Sequence, residues 1–308
     1  MLGARTGPGP VAHTPSIARG VAGLALAVLG WGVTWPINKV LLASMSPFWL
    51  SAFRAAIASV VLFGIAVASR RLILPARHDM PMVVSIALLH MTGFSVLAAI
   101  GLSLVPVGRS VVLAYTTPLW VMPAAAIFLG ERFTGRRLAG VALGLLGLMV
   151  LFNPFAFDWS DRNAIAGHAV LLVAALLWAS NMVHVRGHRW RATPFQLVPW
   201  EMLLAAAVLF VIAVLSGATL AIEWNGTIVV LLLASSIVGQ ALPQWAVVVA
   251  GRGLSAGTVS LGLLASPIIG IVVAAAALGE PLDFYVWLAV FLVIGGVALG
   301  TTASTLRR

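Results

Sequence analysis

Gln240 and Gln244 lie four residues apart and flank Pro243 inside an apolar run, so both amides share one helical face. Neutral amides beside a proline-broken helix suit hydrogen bonding to a polar solute. His90 lies mid-run in another apolar stretch, with Phe94 one turn later on the same face. Trp31 and Trp178 sit well inside their stretches, deeper than the interfacial belt where membrane tryptophans usually lie. Trp31 shares its stripe with Trp35 and Asn38, and Trp178 shares one with Asn181 and His184. Tyr115 and Thr116 precede Pro118. An aromatic, amide-bearing pocket accepts a flat or amphipathic organic molecule better than a bare inorganic ion. Trp31, His90, Tyr115, Trp178, Gln240 and Gln244 are therefore the expected substrate-binding residues.

Proline inside an apolar helix removes a backbone hydrogen bond and frees a carbonyl on the preceding turn. Pro36, Pro118, Pro123, Pro243 and Pro267 all fall in apolar runs. Pro118 and Pro267 stand at matching places in two similar segments, and they are the expected hinges or cavity walls. Arg54 and Glu201 also occupy matching places, and each is expected to snorkel, form a local pair or take a gating or substrate role.

Other chemistry is missing from the sequence. There is no Gly-Lys-Ser/Thr phosphate loop, no His-Glu-x-x-His and no acidic metal cluster. The chain has no cysteine and only eight acidic residues, of which Glu201 alone is clearly inside an apolar run. No catalytic residue, metal site or cofactor is expected, and a carboxylate proton relay has little to build on.

The elements that must position these residues are membrane spans. Hydrophobic residues make up 61% of the chain and charged ones 8%, with a mean hydropathy of +1.09. Such a chain cannot cover a water-facing surface. The net charge of +10 comes from short basic clusters between apolar runs, the pattern of cytoplasmic loops and not of a nucleic-acid surface. Ten candidate spans cover roughly 18–43, 47–69, 81–104, 108–129, 134–152, 163–185, 194–215, 225–246, 255–278 and 283–302. Thr134 and Asp283 are expected caps, and Pro47 and Pro194 sit at first-turn positions. The Gly/Pro-rich residues 1–17 read as a disordered tail.

The chain repeats itself. Pro118, Leu129, Gly130 and Glu131 recur as Pro267, Leu278, Gly279 and Glu280. Trp31, Pro47, Phe48 and Leu50 recur as Trp178, Pro194, Phe195 and Leu197. The predicted fold is all-α and integral to the membrane, with ten transmembrane helices as two inverted five-helix repeats, residues 18–152 and 163–302. Five spans per unit place the second unit upside down, and the basic residues agree. Loop 131–137 carries three arginines and its copy 280–286 carries none. With the amino terminus inside, 14 of the 18 Lys and Arg residues fall on the cytoplasmic side. Both termini are therefore predicted to be cytoplasmic. Gly140, Gly144, Gly147, Gly295 and Gly296 give spans five and ten smooth faces, for tightening the scaffold or for meeting another subunit.

The stretch Gly101–Gly108, then Tyr115-Thr-Thr-Pro118, Phe128-Leu-Gly130-Glu131 and Gly140…Gly144…Gly147, resembles the EamA repeat of the drug/metabolite transporter superfamily. The second copy, Gly257…Ser266-Pro267…Leu278-Gly279-Glu280-Pro, resembles it as well. Arg54 stands where that repeat commonly has an arginine, and the second copy departs from the pattern with Glu201. The resemblance covers about residues 20 to 302. It implies ten helices, a central cavity built mainly from spans one, three, four, six, eight and nine, and alternating access. Its bacterial members are largely exporters of amino acids and related metabolites, and the chain looks closest to the aromatic amino-acid branch.

The expected function is a secondary transporter of the bacterial inner membrane that exports amino acids or related small metabolites. Its partners are a small-molecule substrate and the lipid bilayer, with no nucleic acid and a monomer favoured. A passive facilitator or channel is the alternative. A membrane-embedded lipid-modifying transferase would need clustered acid/base or metal-binding side chains at the membrane surface.

Overall fold

A computed structural model describes residues 17–130, 134–152, 159–220, 222–254, 256–282 and 284–302. Among them the regular structure is entirely helical. The helices are α1 (Ile17–Leu41), α2 (Pro47–Ala68), α3 (Met80–Ser85), α4 (Ser95–Leu104), α5 (Val107–Ala114), α6 (Thr117–Leu129), α7 (Gly135–Phe152), α8 (Arg162–Gly187), α9 (Pro194–Leu215), α10 (Gly226–Ser236), α11 (Leu242–Gly253), α12 (Ala256–Leu263), α13 (Ser266–Leu278) and α14 (Phe284–Thr302). Two π-helical segments, Ile86–Phe94 and Ile237–Ala241, join α3 to α4 and α10 to α11. Seven rods are long and apolar enough to cross a membrane, and Ser266–Leu278 and Phe284–Leu299 are shorter apolar helices. The proposed tail up to Pro15 and Ser16, the Asp283 cap, and Glu131 with Arg132 lie outside the described residues. Ile17 begins α1 instead of ending the tail.

Local chemistry sets the ends. Ser46 accepts from the Trp49 N–H ahead of Pro47, and Asp161 accepts from Asn163 and Ala164. Thr134 Oγ1 accepts from the Arg137 N–H, closing the first turn of α7. The repeated Leu-Gly pair turns out to be a helix stop. Gly130 and Gly279 end α6 and α13 with φ of 66° and 69°, a left-handed conformation that a Cβ disfavours.

The two π segments stand at corresponding places in the two halves. Each carries an extra residue in one turn, which pushes the backbone out and re-aims a side chain. His90 lies in the first and Gln240 in the second. The break expected at Pro243 is thus a wide turn just before it, with Pro243 in the first turn of α11. The first segment has no proline at all.

The halves engage reciprocally. Helix α1 packs against α11 and α13, while α8 packs against α4 and α6. Trp49 Nε1 donates to the Ala218 carbonyl, and Trp200 Nε1 donates to that of Ile73. Helices α2 and α9 share an alanine-rich core that includes Ala52, Ala55, Ala58, Met202 and Ala205. The most extensive pairing joins α7 to α14. There a Cβ on Gly296 would collide with the backbone of Gly140 and Gly144. The glycine faces expected to tighten the scaffold or meet another subunit are used on each other.

Candidate functional site

A cavity of about 100 Å³ lies between the halves, room for several water molecules. Trp31, Trp35 and Asn38 reach it from α1, Arg54 from α2 and Tyr115 from the turn between α5 and α6. His90 and Phe94 enter from the first π segment, Trp178 from α8, Gln240 from the second π segment and Gln244 from α11. The structure therefore brings Trp31, His90, Tyr115, Trp178, Gln240 and Gln244 to one cavity, with three contributed by each half.

One wall is an aromatic cluster. The His90 ring lies flat on the Trp178 indole, with centroids 5.0 Å apart and planes 5° from parallel. Phe94 lies 4.9 Å from the same indole, and Tyr115 meets it edge-on at 6.4 Å. Offset and edge-on arrangements of this kind match the ring quadrupoles. Beyond the wall, buried amides bridge the halves. Ser235 Oγ donates to Asn38 Oδ1 at 2.5 Å, and Asn181 Nδ2 donates to Ser85 Oγ at 3.2 Å. Gln240 Nε2 donates to the Met202 sulfur at 3.2 Å, while its buried Oε1 has no partner.

The two intramembrane charges do not snorkel. Arg54 is 9% exposed and Glu201 4%, and among the described residues neither forms an ion pair. Arg54 Nε and Glu201 Oε1 are buried without a hydrogen-bond partner. Their helices pack side by side, which encloses both charges in the bundle. Arg54 lines the cavity, whereas Glu201 does not.

Pro118 and Pro267 each open a new helix after a two-residue break, Tyr115-Thr116 in one half and Leu264-Ala265 in the other. Neither proline lines the cavity. The carbonyls near Pro118 are not offered to a solute. Thr116 Oγ1 donates to Leu113 O at 2.6 Å and Thr117 Oγ1 to Ala114 O at 2.8 Å.

Two polar clasps that went unnoticed in the sequence tie the halves through Glu280 and Asp79, and Lys39 braces the first of them from within its own half. Glu280 accepts from the Val107 and Gly108 N–H groups at 2.8 and 3.2 Å, at the start of α5. Lys39 Nζ donates to Leu102 O and Val105 O at 2.7 and 3.0 Å, at the end of α4. A carboxylate on a helix start and an ammonium on a helix end both complement the helix dipole. In the other clasp, buried Asp79 accepts from Arg191 N at 3.1 Å and from Ala192 N at 2.9 Å. His188 Nε2 lies 3.3 Å from Asp79 Oδ1, and His78 Nε2 lies 2.9 Å from Arg189 O. Burial alone would raise the Asp79 carboxyl. The Ala192 and Arg191 N–H donors, His188 and nearby His78 outweigh it and hold the group below the ordinary carboxylate value. His78, Asp79 and His188 bring donor atoms within 4.8 Å of one another, near enough to meet on a cation. Both Asp79 oxygens already accept N–H groups from the facing loop, so the arrangement works as a clasp by itself. The repeated Gly-Glu motif was the available signal for Glu280. Asp79 had none.

The family model for EamA-like transporters matches residues 18–153 and again 165–302. The chain belongs to the EamA-like transporter family. As a member of that family it is a multi-pass membrane transporter and not an enzyme. This EamA-like transporter is 29% identical over 267 residues to a probable terminal-alkyne amino-acid exporter of Streptantibioticus cattleyicolor, covering 86% of this chain and 87% of that one. It is 29% identical over 224 residues to a riboflavin transporter of Rhizobium johnstonii, covering 72% and 69% respectively. A solved crystal structure aligns with a TM-score of 0.66 at 22% identity, covering 95% of this chain and all of the other. That last likeness shows the fold alone.

Proposed function

We propose that the protein is a secondary transporter of the bacterial inner membrane that exports amino acids, aromatic ones included, or related small metabolites. The observation that carries this reading is the aromatic and amide-lined cavity between two reciprocally packed halves. The amino-acid exporter among its relatives supports the substrate class.

In this reading each half supplies five spans, residues 18–152 and 163–302, in opposite orientation, with both termini cytoplasmic. The excess of arginine in loops 70–77 and 186–191 supports that orientation. The Asp79 clasp then closes the cytoplasmic side and the Glu280 and Lys39 clasp the outer side. Alternating access needs one to open while the other holds. Glu280 and Asp79 each bridge the two halves, while Lys39 ties α1 to α4 within the first, so rocking the halves breaks one bridge without unfolding a helix. Pro118 and Pro267, at equivalent breaks, serve as the hinges. One chain contains the whole cavity, which favours a monomer.

The test is uptake of a panel of amino acids into proteoliposomes, with and without a proton gradient. Counterflow of labelled substrate above simple leak supports a carrier. Unsaturable flux without counterflow identifies a passive facilitator instead.

A further inference from the structure

Among the described residues the cavity holds one fixed charge and nothing to neutralise it. Among the described residues that line it, Arg54 is the only Lys, Arg, Asp or Glu. Its Nε is buried and unpartnered, and it forms no ion pair among the described residues. Buried charges in proteins are otherwise paired, because desolvating a lone cation is costly. A guanidinium does not escape that cost by losing its proton. Glu201, on the neighbouring helix, does not reach the cavity and leaves its own Oε1 unpartnered. The missing counter-charge therefore has to arrive with the solute.

We propose that Arg54 anchors a carboxylate of the transported solute, so that a flat carboxylate is the minimum substrate and an amino group is dispensable. This rests on the transporter reading above and names the chemistry that its site selects. A guanidinium fork matches a carboxylate through two parallel N–H···O bonds. A phosphate dianion would call for a second cation, and the described lining has none. The aromatic wall of His90, Trp178 and Phe94 receives the body of the solute. Among the described lining no carboxylate is there to hold an ammonium, so Gln240 Oε1 and the aromatic faces give it only neutral partners.

The experiment compares ligands that share one ring system. Purified protein is titrated with indole-3-propionate, tryptophan and tryptamine, and binding is read by calorimetry and by the shift in thermal unfolding. Indole-3-propionate is expected to bind within about threefold of tryptophan, and tryptamine about tenfold or more weaker. Arg54→Gln is expected to lose about tenfold for the two acids, with tryptamine unchanged. Arg54→Lys keeps the charge without the fork and is expected to fall between. This graded series separates anchoring from a folding defect, and the unliganded unfolding temperature of each variant is read alongside. Tryptamine binding as well as the acids, or Arg54→Gln keeping wild-type affinity for them, overturns the proposal while leaving transport itself intact. Failure of both acids to bind the wild type also overturns it, and the uptake panel then decides separately whether the protein transports amino acids.

Discussion

His90 and Trp178 come from different halves of the chain and stack within 5° of parallel, 5.0 Å apart. This contact joins the first π segment to α8, and it forms one wall of the cavity. An aromatic pair is worth about 0.5–1.5 kcal/mol beyond area burial, a factor of roughly two to ten. Trp178→Ala is therefore expected to lower the initial transport rate roughly two- to tenfold with the membrane level unchanged. Trp178→Phe retains most of the rate. Flux in proteoliposomes, normalised to inserted protein, checks both.

Gln240 allows function and stability to be told apart. Its Oε1 is buried without a partner, so the native fold carries an unmet acceptor there. Gln240→Met removes that acceptor at similar volume. The thermal unfolding temperature is expected to stay level or rise, while transport falls about threefold or more. Loss of both together would instead make Gln240 a structural residue.

The Asp79 clasp has a pH dependence whose sign is fixed. Its carboxyl is held below the ordinary carboxylate value. The stabilisation is therefore present above about pH 4, where the unfolded group ionises, and is lost as pH falls through the depressed native value. Near neutral pH the Asp79 carboxylate is charged and holds the Arg191 and Ala192 amides. Hydrogen exchange at the Arg191 and Ala192 amides reads this directly. Asp79→Ala removes the acceptor from both amides and is expected to speed their exchange about tenfold or more at neutral pH.

Orientation is testable because the chain has no cysteine. Single cysteines at Thr134 and Leu282 fall in the two loops that are sequence counterparts. With impermeant thiol reagents on intact cells, Leu282→Cys is expected to label and Thr134→Cys to label only after permeabilisation. Labelling of both from the same face rules out the inverted arrangement.

Much of the cavity was legible because the sequence repeats. Trp31 and Trp178 stand out as mates too deep for a belt, and Gln240 and Gln244 share a face by spacing alone. The π turns were not legible. No residue type marks them, and the one around His90 contains no proline. Depth along a span left snorkelling open for Arg54 and Glu201, and the structure buries both instead. Snorkelling presumes a lipid-facing helix side, and the close packing of α2 on α9 was invisible from one chain position. The Asp79 clasp joins loops more than a hundred residues apart, which no local pattern encodes. The Ala114 carbonyl, left without an N–H partner by Pro118, is taken up by the Thr117 hydroxyl, a rescue the sequence reading did not anticipate.

Where α7 crosses α14, main chain rests on main chain at Gly296, Gly140 and Gly144. At that spot no flexible side chain lies between the rods to yield, whereas along the same seam Gly147 meets the Leu292 and Val293 side chains. A single methyl added at Gly296 would meet backbone on the facing rod and force the two helices apart.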